Sequence, residues 1–318
     1  MMEYEVFKRV VEEKFLEFLP ENYQDAQVDI KSVNKVNCKL DGLLIRVNEP
    51  GMHVSPTIYV NDMYEDYIVT EDLNATLTRA AKDFMNAMEQ KDRINIGELM
   101  NADCVKDKIV FQLINTEQNK EMLANMPHRK FEDLSVIYRI MVRIDREGTV
   151  STPIRNGLAD ILGFTEEQMF ELAAENTKRL FPPVVKSMNE VMREIFAKDG
   201  MPMDMVEQMI DDMPTEQQMY VIGNEKGING AVSMLYEDRL HELAEKVESD
   251  LYILPSSVHE VIAVSANMFN PNQLAEMVTK VNVSEVAPDE RLSNQVYYYD
   301  RGLRKVTLAT NTPNKCLD

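Results

Sequence analysis

The chain has 318 residues, 44% of them hydrophobic and 28% charged, with 22 methionines and no tryptophan; this excludes a wholly disordered chain and implies cores filled largely by flexible thioethers. The formal net charge of −20 works against direct binding of nucleic acid or anionic lipid. Half of that excess lies between Asp199 and Asp250, where 13 Asp or Glu face 3 Lys or Arg.

The first expected element is an amphipathic helix with Phe7, Val11, Phe15 and Phe18 on one stripe, ended by Pro20. Its alternation of charge with apolar residues leaves no uninterrupted signal core, and no stretch approaches the ~20 apolar residues of a membrane span. Extended runs follow at Ala26–Lys35 and Lys39–Val47, the second with Gly42 inside it, a mark of a bulge or a close backbone approach. A short strand at Pro56–Val60 precedes a helix over Glu71–Met88. The clearest strand is Leu134–Asp145, with alternating apolar residues on one face and Arg139 and Arg143 on a partly solvated second face; Thr149–Ile154 returns as its hairpin partner.

Thr165 and Gln168 form a capping box before a helix, and Val184, Met188, Val191, Met192 and Ile195 make a further apolar stripe. The last region reads as strand Met219–Gly223, strand Gly230–Leu235, helix Glu237–Val247, strand Leu251–Leu254, strand Glu260–Val264 and helix Pro271–Val283, the last capped by Asn270. A hairpin, Gln295–Asp300 with Leu303–Leu308, closes the chain. Short strand pairs separated by single helices indicate an α+β fold with mainly antiparallel sheets. The expected division is an N-terminal α+β region over 1–198 with a helical second half, an acidic methionine-rich connector over 199–218, a C-terminal ββαββα-like unit with its hairpin over 219–308, and a tail over 309–318.

The chemistry-bearing residues are few. Ser256, Ser257, His259 and Glu260 supply a hydroxyl, an imidazole and a carboxylate, the ingredients of an activated nucleophile, without the glycine-flanked elbow of a serine hydrolase. The alternative is a structural turn in which the hydroxyls bond local backbone. His128, beside Arg129 and Lys130, marks the most cationic spot in the chain and could receive an anion or pair with the protein's own carboxylates. His241-Glu242 lacks the second histidine of a zinc helix, since position 245 is Glu245, and His53 stands alone in its loop. Cys38, Cys104 and Cys316 are too sparse for a disulfide framework or a thiolate site, so no metal and no cofactor are expected. Met205, Val206, Met209, Ile210 and Met213 recur on one face of a short helix, which either packs internally or offers a docking surface.

The block Gln218–Val264, together with Pro127-His128-Arg129, Phe131-Glu132-Asp133-Leu134 and Tyr297-Tyr298-Tyr299-Asp300, resembles an uncharacterised bacterial family, a domain of unknown function distantly similar to the YtpQ-like family. The resemblance covers most of the chain. It makes Pro127, His128, Arg129, Asp133 and the turn over 255–260 family-typical positions, and it implies no activity and no role for any of them. Three functional expectations stand: a cytoplasmic interaction or regulatory protein whose acidic surface meets a protein with a basic one, a hydrolase using His259, Glu260 and Ser256 or Ser257 with His128 brought near by folding, and an acidic mimic of nucleic acid that occludes a basic protein.

Overall fold

The computed structural model describes residues 1–46, 56–90, 95–145, 148–211 and 219–313. The fold is α+β with antiparallel sheets throughout. It divides into two compact units, Met1–Glu98 and Leu99–Asp318.

In the first unit, helix α1 (Tyr4–Lys14) runs into a 3₁₀ turn at Phe15–Phe18 and places Phe7, Val11 and Phe15 in the core. A three-stranded sheet follows, β1 (Gln27–Lys35), β2 (Cys38–Arg46) and β3 (Thr57–Tyr59), in the order β1-β2-β3. The register from Gln27↔Arg46 to Lys35↔Cys38 is unbroken. Gly42 therefore marks a close approach and not a bulge: a Cβ there would lie 2.7 Å from Thr57 Cγ2 and 2.9 Å from Val33 Cγ2. Helix α2 (Val60–Thr70), which the chain's periodicity did not announce, buries Val60, Met63 and Tyr67 and ends where Glu71 turns left-handed at φ 54°. Helix α3 (Leu73–Gln90) adds Leu77 and Phe84 to the same core. The one-turn helix α4 (Ile96–Leu99) spans the division.

The second unit contains helices α5 (Ala102–Val105), α6 (Lys120–Leu123), α7 (Asn156–Leu162) and α8 (Glu166–Leu180) around a four-stranded sheet. Its strands are β4 (Ile109–Asn115), β5 (His128–Phe131), β6 (Leu134–Asp145) and β7 (Gly148–Pro153); β6 pairs β4 on one side and both β5 and β7 on the other. The capping box at Thr165 forms in both directions. Ser135, Ile137 and Met141 are buried, so β6 has no solvated second face over most of its length. Helix α8 fastens to β4 through Phe111 N–H donating to Thr177 Oγ1 at 3.0 Å and Asn176 Nδ2 donating to the Ile109 carbonyl at 3.1 Å.

The remaining elements are β8 (Pro183–Ser187), α9 (Met188–Lys198), α10 (Met203–Asp211), β9 (Met219–Asn224), α11 (Glu237–Lys246), β10 (Leu251–Leu254), β11 (Val261–Ser265), α12 (Pro271–Ser284), β12 (Tyr297–Asp300) and β13 (Lys305–Leu308). Six of them form a sheet in the order β13-β12-β10-β11-β9-β8. Residues of both sheets share one core, with Phe111, Val136 and Tyr138 from the first and Ile222, Ile253 and Tyr299 from the second.

Three expectations change here. The stretch 199–218 does not separate domains: β8 before it and β9 after it pair antiparallel from Pro183↔Asn224 to Ser187↔Tyr220, so its described part belongs to the long connection between two neighbouring strands of one sheet. Val184 lies in β8 and not on the α9 stripe. Gly230–Leu235 is a 3₁₀ helix and not a strand, because β9 already has β8 on one edge and β11 on the other.

Candidate functional site

The turn holding Ser256, Ser257, His259 and Glu260 is a clasp. His259 N–H donates to Ser257 Oγ at 3.0 Å, which spends the hydroxyl on local backbone. The Asn229 N–H donates to His259 Nδ1 at 3.3 Å, and Nε2 faces Glu290 Oε1 at 3.1 Å. The first contact needs an unprotonated Nδ1, so the proton sits on Nε2 and is donated to Glu290. Both ring nitrogens are thus occupied, and Glu260, the expected carboxylate partner, is exposed and plays no part in either bond. Ser257 pairs with Arg291 in an isolated bridge, and the Leu292 N–H donates to the Ser256 carbonyl.

The loop facing this turn is equally committed. Asn224 donates Nδ2–H to the Ile228 carbonyl at 2.8 Å and accepts the Lys226 N–H at 3.0 Å. A Cβ on Gly230 would run into the His259 carbonyl oxygen and stand 2.9 Å from Asn224 N. Ala231 N–H donates to the Val258 carbonyl, and Ser233 Oγ to that of Gly223 at 2.7 Å. Gly230 and Asn224 here serve close packing of two loops.

Asp133 is also an anchor. Its carboxylate accepts Ser293 Oγ–H at 2.7 Å and the hydroxyl of fully buried Tyr297, whose ring stacks on Phe131 at 6.2 Å and 4°. Burial first, and the Asp133 charge second, push the Tyr297 hydroxyl well above its usual range.

His128 and Arg129 part company. His128 is exposed at the start of β5, with Nδ1 3.0 Å from the Met126 carbonyl. Arg129 makes a fork on Glu166, Nε to Oε1 at 3.0 Å and Nη2 to Oε2 at 2.8 Å, reaches Glu167 at 2.7 Å and lies 3.8 Å over the Phe170 ring. Buried Tyr138 donates its hydroxyl to the same Glu166. Burial raises the Glu166 pKa, but the bonds from Arg129 and Tyr138 and the charges of Arg129 and His128 more than offset it and hold the carboxyl below its usual range.

Beside this cluster lies a cleft of about 440 Å³. Its apolar floor includes Phe131, Val136, Phe170, Met234, Leu240 and Tyr299, and its rim carries Arg129, Lys130, Arg304 and Lys305 against Glu132 and Glu237. Arg304 is held by Glu237 at 2.6 Å, as Arg129 is by Glu166. Lys130 and Lys305 make no ion pair among the described residues. Among the described residues the buried Tyr299 hydroxyl has no hydrogen-bond partner within ordinary distance; burial raises its pKa, and Arg304 beside it opposes the rise. Neither His128 nor His259 lines this cleft.

The methionine stripe is divided. Val206 is fully buried while Met205 is 58% exposed; the side chain of Met209, and the whole of Met213, His53 and Cys316, lie outside the described residues. Helix α9, which packs on α10, has no buried residue at all, and its Ile195 is 51% exposed. Arg193 binds Glu207 at 2.8 and 2.9 Å, and Lys186 binds Glu194 at 2.6 Å.

Sequence reasoning missed Glu290, Glu166, Tyr138, Arg304 and Lys305 as neighbours of the residues it named. Only Glu166 carried a signal, as the first residue after a capping threonine, and that signal concerns the helix end. Among the described residues no group of three or more His, Cys, Asp or Glu could hold a metal ion, and no helix is long and apolar enough to cross a membrane. No curated protein and no solved structure matches the chain. A family model does, over residues 4–301, and so takes in nearly all of both units: the chain belongs to DUF5688, a family of unknown function.

Proposed function

We propose that this protein works by binding another macromolecule through the α9–α10 face, and not by bond chemistry. One observation carries the reading: α9 is amphipathic yet its apolar residues are at most half-buried, and it leaves Ile195 exposed next to a helix that exposes Met205. Between Lys186 and Asp211 six carboxylates outnumber Lys186, Arg193 and Lys198, and the first two of these bases already pair with Glu194 and Glu207. An apolar strip set in net negative charge suits a cationic amphipathic helix on a partner, with methionine supplying an adaptable contact. The same mixture of apolar and acidic surface favours this over mimicry of nucleic acid, which needs carboxylates alone.

The occupied nitrogens of His259 and the committed Ser257 hydroxyl count against the hydrolase. A distant kinship with the YtpQ-like family belongs to the same proposal and assigns no role to any residue. The test uses a labelled synthetic helix of leucine and lysine with helical periodicity. Fluorescence anisotropy should show binding that weakens with salt and is lost in the Ile195→Ser/Met205→Ser variant. Equal binding by that variant, or covalent labelling of Ser257 by a serine-directed probe, refutes the reading.

A further inference from the structure

We propose that the cleft beside Arg129 takes an extended peptide of alternating apolar and acidic residues, which adds a strand to the free edge of β5.

Two edge strands contribute to its rim. β5 ends one side of the four-stranded sheet and β13 ends the six-stranded sheet, and both contribute to the cleft, β5 through Arg129, Lys130 and Phe131 and β13 through Lys305 and Val306. Each pairs on one side alone, β5 with β6 and β13 with β12, and no further backbone hydrogen bond reaches either strand among the described residues. In β5 the direction of the free groups follows from register. Phe131↔Leu134 closes the two-residue turn Glu132–Asp133, so Phe131 and Arg129 exchange their hydrogen bonds with β6. The N–H and C=O of His128 and Lys130 then point away from the sheet, the pattern that accepts an added strand.

The side chains set what that strand must be. A β-strand sends alternate residues to opposite faces, so one set of its side chains can enter the apolar floor of Phe131, Phe170, Met234 and Leu240. Arg129 and Arg304 are neutralised by Glu166 and Glu237, which leaves Lys130 and Lys305 against Glu132 as the rim charges without an ion pair, a net excess of one positive charge. A lysine on a short edge strand discourages pairing with an identical edge. The same two lysines favour a segment of opposite charge, so like-charge exclusion and opposite-charge capture come from one arrangement. The cleft is in the range of volumes that hold a few side chains or one small ligand, so a small amphiphilic anion is the competing occupant.

The probe is a labelled synthetic peptide of alternating glutamate and valine, about eight residues long, given to the full chain at low salt. Binding is expected, with the amides of His128–Phe131 gaining protection from hydrogen exchange. The Lys130→Glu/Lys305→Glu variant should weaken it by at least about tenfold; both positions are exposed, and an unchanged thermal midpoint verifies that the variant folds. A peptide with lysine in place of glutamate should not bind. The proposal is overturned if the acidic peptide fails to bind at about 1 mM, if the variant binds it equally, if the lysine peptide binds as well, or if protection appears elsewhere. Binding of dodecanoate in the cleft, with no acidic-peptide protection of β5, also overturns it and assigns the cleft to small amphiphiles. The α9–α10 reading is untouched by any of these results, since Ile195 and Met205 play no part in them.

Discussion

Replacing Asp133 with alanine should cost the second unit about 3–4 kcal/mol. The carboxylate accepts two hydroxyls, Ser293 Oγ at 2.7 Å and Tyr297 Oη. Hydrogen bonds to a charged acceptor contribute about 1.5–3 kcal/mol each, and a buried donor left without a partner loses a further 1–3 kcal/mol or so. The two bonds are not equivalent. Ser293 also accepts the Gln295 N–H at 2.9 Å and can turn toward another acceptor, whereas Tyr297 is fully buried with its ring fixed on Phe131. Most of the loss therefore follows the tyrosine. Tyr297→Phe removes donor and bond together and should cost only about 1–2 kcal/mol, and adding Asp133→Ala to it should cost about 1–2 kcal/mol less than Asp133→Ala alone. Urea unfolding followed by near-ultraviolet circular dichroism gives the three values, and the thermal midpoint should drop by about 10 °C in Asp133→Ala. Additive single losses, or a loss below about 1 kcal/mol for Asp133→Ala, would refute the role given to this carboxylate.

Gly230→Ala should destabilise by about 1–3 kcal/mol or more because its methyl meets the backbone of His259 and Asn224, whereas Gly157→Ala, in α7 with open space around it, should be neutral or stabilise by about 0.4–1 kcal/mol; chemical denaturation of both checks the pair. Glu166 has a folded pKa below its unfolded value, so its contribution is present above the usual carboxylate range and is lost as pH falls through the lowered pKa; Glu166→Gln should flatten the slope of unfolding free energy against pH below about 4.5. Met205→Ser should change stability by no more than about 0.5 kcal/mol, and Val206→Ser by about 2 kcal/mol, as calorimetry on the two variants can establish.

Residues close in sequence determined the elements whose causes are local. The alternation over Leu134–Asp145 gives β6 its full extent, Thr165 with Gln168 starts α8 by a reciprocal cap, and Asn270 with Pro271 starts α12. Each depends on neighbours within a few positions, so one stretch of chain contains all the information. The composition of strand pairs and single helices likewise fixed the α+β class. Tertiary structure decided the rest. Gly230–Leu235 has the apolar content of a strand, but both edges of β9 are taken and the chain folds instead into a 3₁₀ helix against the 255–260 turn. The ring partners of His259 are Asn229 and Glu290, about thirty positions away on either side, so its neighbours Ser257 and Glu260 did not announce them. The cleft gathers residues from β5, α8, the 3₁₀ helix, α11 and the β12–β13 hairpin, and no local pattern announces it. Sheet order and loop contacts are set by which edges and apolar faces remain unpaired once the whole chain has collapsed, a condition no single segment can encode.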